Sequence, residues 1–177
     1  MSSTRVSVTS RSDARAHIFR EAFTMVLYVS VVEIAELAAL PESHFAHGRV
    51  TGAVGGQILA IIWGTAVGLA LAHWFAFQLA APAFHGERPN RQVTYIGLAQ
   101  LSGAVFVAAV SSLPVLVFSN VRAQETTGDV PAILIGVVAY LIARTAGKAH
   151  VASFFYALTA LALGVLVALV KSILAAH

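Results

Sequence analysis

Two carboxylic acids, Glu33 and Glu36, lie inside an otherwise apolar stretch near the start of the 177-residue chain. Their i, i+3 spacing places both on one face of a helix, so they can act together on a single ion or partner. An acid among apolar groups needs compensation, because an isolated charge is expensive to remove from water. The chemistry that this pattern predicts is the binding and release of a proton or a cation.

Lys171 offers a second interpretation of the same acids. If the apolar stretches that carry them cross a bilayer, Glu33 lies roughly 4 Å and Glu36 roughly 8 Å beyond the midplane, and Lys171 reaches a comparable depth. Glu36 and Lys171 would then form a structural ion pair. In the alternative, one acid alternates between protonated and ionised states and carries the proton or cation. The residues alone leave both interpretations open.

Two further histidines stand close to these acids in the sequence. His44 and His47 repeat the i, i+3 spacing next to Glu42, and with the glutamates they would offer nitrogen and oxygen ligands to a divalent cation. Pro41 breaks the helical register before them, and the segment is short. A solvated loop is therefore the favoured interpretation of this trio, with a metal site as the alternative.

His73 is a further candidate for a proton site, in the second apolar stretch. A neutral imidazole there is satisfied by Tyr95, Gln100, a backbone carbonyl or lipid headgroups. A proton relay from the glutamates to His73 would have to bridge roughly 15 Å of depth. The polar groups that we expect to be available for such a relay are Thr65, Thr159 and Gln100.

The composition is typical of a membrane protein. Hydrophobic residues make up 58% of the chain and charged residues 11%, whereas about a quarter of the residues of a soluble domain are charged. The net charge of +3 comes from basic residues at the chain ends and in short links, so nucleic acid is not a predicted partner. The lack of cysteine excludes disulfides and thiolate metal sites.

Five apolar runs predict an all-α transmembrane bundle, because each is near or above the roughly 20 residues that cross a bilayer. The runs cover residues 19–40, 53–80, 95–118, 131–147 and 151–174. Residues 1–18 are a polar, basic tail that we interpret as cytosolic, and residues 19–177 form one domain. The predicted links are short and rich in turn residues, so neighbouring helices should be antiparallel. They cover residues 41–51, 82–91, 119–130 and the vicinity of Gly147 and Lys148.

Basic residues concentrate on one side of these five spans, which predicts a cytoplasmic N-terminus and an external C-terminus in the cell membrane. That side holds Arg5, Arg11, Arg15, Arg20, Arg88, Arg91, Arg144 and Lys148, and the other holds Arg49, Arg122 and Lys171. Aromatic residues cluster where the spans should meet the cytoplasmic headgroups, as an aromatic belt does. They are Trp74, Phe75, Phe77, Tyr95, Phe154, Phe155 and Tyr156.

Small residues recur every four positions in two of the runs, which lets helix backbones approach closely in lipid. The first stripe is Ala60, Gly64, Gly68, Ala72, Ala76 and Ala80, and the second is Ala160, Gly164 and Ala168. Each stripe is either a seam within the bundle or the interface of a homo-oligomer. Pro114, preceded by Ser111 and Ser112, should leave a helix carbonyl without its usual donor in the third run.

No enzymatic signature is present in the sequence. We find no Gly-rich phosphate loop, no nucleophile elbow and no His-Glu-x-x-His motif. A non-enzymatic protein without a cofactor is therefore predicted.

Residues 61–81, IIWGTAVGLALAHWFAFQLAA, together with the first run that carries the glutamates, resemble small integral membrane proteins of high-GC bacteria. That resemblance implies no particular function. Five spans with an inner N-terminus and an intramembrane Glu are similar in topology to the vacuolar iron transporter family. The second link is too short for that family's Glu-rich cytoplasmic metal-binding domain, and its Asp-Gly motif in the first helix is absent, so the similarity implies topology and not iron transport.

Taken together, these patterns predict a multi-pass membrane protein that moves protons or cations through Glu33 and Glu36. It would be homo-oligomeric or bound to a membrane partner protein. The alternative is a non-transporting scaffold or accessory subunit in which the acids form a structural ion pair.

Overall fold

The structure, a computed structural model, contains five helices and one short hairpin. It describes the backbone of residues 3–40, 44–46, 49–51, 55–85, 91–118 and 120–175, and side chains mainly within 16–40, 55–80, 94–118 and 126–170. The helices are α1 (Ser3–Leu37), α2 (Gly55–His85), α3 (Arg91–Val117), α4 (Asn120–Thr145) and α5 (His150–Ala175), and the strands are β1 (His44–Ala46) and β2 (Arg49–Thr51).

Four of the helices are long and apolar enough to cross a membrane, which indicates an integral, multi-pass membrane protein. The qualifying segments are Gly55–Ala80, Thr94–Val117, Thr126–Thr145 and His150–Val170. They coincide closely with four of the predicted runs, except that the segment in α4 begins earlier. Helix α1 does not meet the same criterion over its described residues, because its C-terminal half combines apolar residues with Arg20, Glu21, Glu33 and Glu36.

Helix α1 lies at the centre of the bundle despite being the least apolar of the five. It packs against α3, α4 and α5, and less extensively against α2. Met25, Val26 and Val29 are buried on it among the apolar side chains of its neighbours. The backbones of α1 and α3 approach closely at Gly103, where a Cβ atom would lie 2.7 Å from the carbonyl oxygen of Ala22. Ser30 and Glu33, two polar residues of α1, are likewise fully buried within the bundle.

Two of the predicted links differ from expectation. The segment between α1 and α2 contains an antiparallel hairpin, in which His44 pairs with Thr51 and Ala46 with Arg49. The predicted turn-rich link over 119–130 is wrong, because α4 already begins at Asn120. Residues 122–125, Arg-Ala-Gln-Glu, are good helix formers. Their polarity argued against a membrane span, but it does not oppose a helix.

The turn between α4 and α5 agrees with the prediction at Gly147. Its φ angle is +79°, a left-handed conformation that glycine adopts without steric penalty. The amide of Gly147 donates to the Arg144 carbonyl at 3.0 Å, and the amide of Lys148 donates to the Ala143 carbonyl at 3.1 Å. This is a Schellman motif, which ends α4 and allows α5 to return alongside it.

The two stripes of small residues have different surroundings. On α5, Gly164 and Ala168 are buried, and a Cβ at Gly164 would lie 3.0 Å from Ile135 Cδ1, so this stripe is a seam within the bundle. On α2, every residue of the stripe is exposed, and no atom lies within 4 Å of a Cβ built at Gly64 or Gly68. The interpretation of the α2 stripe as an internal seam is therefore wrong. The buried face of α2 is instead formed by Ile58, Ile62, Ala66 and Ala70.

The aromatic residues predicted to form a belt are all exposed on the outer surface. Their exposed fractions range from 38% for Phe77 to 65% for Phe75. Rings that face outwards from a helical bundle are available to lipid and headgroups.

Candidate functional site

Glu33 is fully buried in the bundle interior, where α1 meets α3. Its carboxylate oxygen Oε2 accepts a hydrogen bond of 2.7 Å from Ser111 Oγ. Ser30 lies one turn earlier on α1 and is also fully buried. Within the described part of the chain, Glu33 Oε1 and Ser30 Oγ have no hydrogen-bond partner. One oxygen of this acid is therefore held by the protein and the other is not.

Glu36 lies one turn further along the same face of α1 and is half-buried. Its Oε2 accepts a hydrogen bond from Thr65 Oγ1 of α2. Thr65 and Ser111 both belong to the apolar segments of their helices, Gly55–Ala80 and Thr94–Val117. We call Ser30, Glu33, Glu36, Thr65 and Ser111 the acid cluster, which joins α1, α2 and α3.

A polar contact between α2 and α3 lies near the acid cluster in the sequence of both helices. Trp63 Nε1 donates to Ser112 Oγ at 3.1 Å, and Ser112 Oγ donates to the Ala108 carbonyl at 2.6 Å. The freed carbonyl predicted near Pro114 would be that of Val110, because proline cannot donate to the residue four positions earlier. Ser112 thus bonds to a different carbonyl, and its hydroxyl ties α2 to α3.

Among the described charged residues of α1, Glu21 and Glu33 have different surroundings. Arg20 Nη2 lies 3.3 Å from Glu21 Oε1, and Gln100 Nε2 donates to Glu21 Oε2 at 3.2 Å. No ion pair reaches Glu33 in the part of the chain that the structure describes. An ionised carboxylate in such surroundings lacks the solvation of water, so a bound proton or cation stabilises it. A proton or a cation is therefore the kind of ligand that would compensate the charge of Glu33.

The predicted partner of Glu36, Lys171, lies in α5, but its side chain is outside the described residues. The Glu36 to Lys171 ion pair stays a prediction. Glu42 and His47 are also outside the described residues, and His44 is placed only by the backbone of β1. Among the described side chains no group of three or more His, Asp or Glu residues is arranged to hold a metal ion.

His73 is half-buried on α2 and contacts a residue that the sequence did not suggest. Its ring lies against that of Tyr28 of α1, with ring centroids 5.4 Å apart. Gln100, predicted as one of its partners, donates to Glu21 instead. Thr65 and His73 are separated by about 12 Å along α2. The structure therefore places His73 against α1, but His73 is still distant from the two glutamates at the other end of the predicted relay.

Thr65 and Thr159, both predicted to be available for a relay, have different hydrogen-bond partners. Thr65 joins the acid cluster directly, through its bond to Glu36. Thr159 is exposed on α5, and its hydroxyl donates to the Phe155 carbonyl of its own helix at 2.9 Å. Thr159 is therefore not part of a path between the acids and His73.

Sequence reasoning identified the two acids but missed that Ser111 is the donor to Glu33. In the sequence, Ser111 stands out only by its position before Pro114. Two adjacent serines in an apolar helix are the feature of the sequence that could have indicated this donor. A buried hydroxyl is expected to have a hydrogen-bond partner within the protein. Which partner they meet depends on how α1 packs against α3.

No protein-family model, curated protein or solved structure matches this chain. Function is therefore inferred from the acid cluster and from the helices that surround it.

Proposed function

We propose that this protein moves protons or cations across a membrane through the acid cluster, with no enzymatic role. The observation that carries the proposal is the burial of Glu33, which is 0% exposed and has no paired cation in the described part of the chain. Ionisable residues within a membrane-embedded bundle are costly and most often serve ion or proton movement. Glu36 lies about 4.5 Å further along the helix axis and is the next binding position for the same ion.

In this mechanism, Glu33 binds the proton or cation through the carboxylate oxygen that has no protein donor. Ser111 holds the other oxygen and fixes the orientation of the carboxylate. Thr65 does the same for Glu36. When the proton or cation passes from Glu33 to Glu36, Glu33 is left ionised until the next ion arrives, with its charge one helical turn from the ion that has just moved. The hydroxyl of Ser30, buried one helical turn from Glu33, is a further oxygen on α1 that the same ion could use.

The same proposal makes α1 a fifth membrane span, with the N-terminus in the cytoplasm and the C-terminus outside the cell. The central position of α1 supports it, because a helix packed against four others is shielded from lipid and can carry charged residues across. The excess of Arg and Lys on the side of the tail supports the orientation in the cell membrane. His177, at the proposed external terminus, lies outside the described residues.

Flux into proteoliposomes tests the transport proposal. Wild-type protein should acidify or load vesicles under a proton gradient or under a gradient of one member of a panel of mono- and divalent cations. Glu33→Gln and Glu36→Gln should abolish that flux, because an amide neither binds a proton near neutral pH nor neutralises a cation. Asp129→Asn, which removes an exposed acid of α4, is the matched control and should leave the flux unchanged.

The alternative function is a membrane scaffold or accessory subunit in which the acids are structural. The contacts of Glu36 with α2 favour it, since they join helices without requiring an ion to move. In that case Glu36→Gln lowers the thermal stability of the detergent-solubilised protein, and Lys171→Met added to it restores part of the loss. Wild-type protein that shows no flux under any gradient would favour this alternative.

We further propose that the protein is a homo-oligomer that associates through the exposed stripe of α2. Gly64 and Gly68 offer a helix surface without side chains, and close backbone approach drives helix association in lipid. Gly64→Leu or Gly68→Leu should shift the mass of the solubilised protein towards the monomer without unfolding it. Gly56→Leu, also on α2 and also facing open space, is the control. An unchanged mass in both stripe variants would assign the interface to another surface or a different partner protein.

A further inference from the structure

Helices α4 and α5 enclose an open apolar groove on the outer surface of the bundle. Its volume is about 400 Å³, and its walls are almost entirely apolar. The lining residues that matter here are Gly136, Val137 and Tyr140 of α4 and Phe154, Leu158 and Leu161 of α5. We call this feature the α4–α5 groove. It lies apart from the acid cluster, which joins α1, α2 and α3.

The groove owes its depth partly to Gly136. No atom lies within 4 Å of a Cβ atom built at this position, so a larger side chain would project into the groove without meeting protein. Along α4 the lining extends from Ile133 to Leu141, which corresponds to about 12 Å of helix axis. This shape suits a narrow, flexible apolar chain.

The location of the groove places one end near a membrane surface. Both walls belong to membrane-capable segments, Thr126–Thr145 of α4 and His150–Val170 of α5. These two segments are joined by the turn at residues 146–149, where the chain leaves the apolar layer. Tyr140 and Phe154 are the lining residues close to that turn. An occupant can therefore have its tail in the groove and its head at the turn.

Basic side chains surround that end of the groove. Arg144 follows Tyr140 by one helical turn and donates to the Lys148 carbonyl at 2.6 Å. Lys148 Nζ lies 4.6 Å from the centre of the Tyr156 ring, and the Tyr140 hydroxyl lies 2.7 Å from His150 Nδ1. The whole segment 140–156 contains no acidic residue. The charge at the mouth of the groove is thus positive and complementary to a phosphate.

We propose that the α4–α5 groove binds one acyl chain of an anionic phospholipid, whose phosphate lies against Arg144 and Lys148. Tyr140 belongs both to the apolar wall and, through His150, to the polar rim, so it marks the level at which the headgroup begins. Two basic side chains in a segment without an acidic residue favour an anionic lipid over a zwitterionic or uncharged one. The binding is independent of whether the acid cluster transports ions.

Native mass spectrometry of the purified full-length protein tests this site. The probes are phosphatidylglycerol and phosphatidylcholine with identical acyl chains, added to the detergent-solubilised protein. Wild-type protein should retain phosphatidylglycerol in preference. Lys148→Gln should weaken phosphatidylglycerol binding about fivefold, as expected for one lost charge at a membrane surface, and leave phosphatidylcholine unaffected.

The apolar half of the site is tested by Gly136→Leu, which should weaken the binding of both lipids because it fills the groove. Gly128→Leu, on the same helix and also facing open space, is the matched control and should bind as wild type does. If Gly136→Leu fails to fold, Leu158→Phe narrows the opposite wall and should have the same effect.

Three results would overturn the proposal. The first is equal retention of the two lipids by wild-type protein, and the second is unchanged binding in a folded Gly136→Leu or Leu158→Phe variant. The third is displacement of phosphatidylglycerol by an uncharged isoprenoid quinone equally well in wild type and in Lys148→Gln, which would assign the groove to a neutral lipid.

Discussion

Helix α1 carries Ser30 and Glu33 at positions that are fully buried, whereas helix α2 exposes half or more of the surfaces of Leu71 and Phe75. The more polar helix is inside and the more apolar helix is outside, the reverse of the arrangement in a soluble bundle. Lipid is a good solvent for Leu and Phe but a poor one for a carboxylate, so a membrane bundle shelters its acids by surrounding them with other helices. The composition of a helix thus predicts its place in the bundle only when its solvent is known.

The same contrast exists within α1 itself. Glu21 has a cation in Arg20 and a donor in Gln100, and 19% of its side chain is exposed. Glu33 has one serine donor and no exposed surface. Glu21 is therefore compensated by protein groups at the edge of the bundle, whereas Glu33, in its interior, is the acid to which we assign ion binding in our proposal. Substitutions in the interior and at the edge of the bundle test whether the two regions differ in this way.

The largest effect on stability is expected at the contact between α1 and α3. Gly103→Leu should lower the free energy of unfolding by about 3 kcal/mol, because its side chain would meet the Ala22 carbonyl and force the two helices apart. Gly56→Leu on α2 faces open space and should change the unfolding midpoint little. Thermal unfolding of the solubilised protein measures both. Equal losses in the two variants would show that α1 is no more tightly enclosed than α2.

A smaller effect is expected from the donor to Glu33. Ser111→Ala should lower the stability by about 2 kcal/mol, because a buried carboxylate oxygen loses its partner. Ser102→Ala, on the same helix but exposed and bonded only to the carbonyl of Ala99, is the control and should stay within about 0.5 kcal/mol of wild type. If both serine variants behave alike, the bond from Ser111 contributes nothing to holding Glu33.

The smallest effect is expected at the edge of the bundle. Arg20→Gln removes the cation of an ion pair in which the Arg side chain is 66% exposed, and the loss should be below about 1 kcal/mol. It should also shrink as salt is added, since an exposed pair is screened. A loss equal to that of Ser111→Ala would contradict the division between a structural edge and an ion-binding interior.

Hydrophobic runs predicted most of the fold, because length and composition decide which segments can cross a bilayer. The turn at Gly147 was predictable for a similar local reason, as a glycine follows the last apolar residues of α4. The start of α4 at Asn120 does not follow from hydropathy, because polar residues such as Arg122 and Glu125 are compatible both with a link and with a helix.

The candidate site was predictable only in part. The spacing of Glu33 and Glu36 gives their common face, but it does not say which helix that face meets. Thr65 and Ser111 become their donors through tertiary packing. The orientation of the α2 stripe escaped prediction for the same reason, since small residues suit an internal seam and an external interface equally well.

Proton flux in proteoliposomes that contain Glu33→Gln, compared with Glu21→Gln about three turns earlier on the same helix, tests the central claim most directly. Transport through the interior acid predicts that Glu33→Gln abolishes a flux that wild type and Glu21→Gln share, with all three proteins unfolding at similar temperatures. If a proton gradient drives no flux in the wild type, the same comparison is made with the panel of cations. A folded Glu33→Gln variant that transports as well as the wild type would contradict the claim.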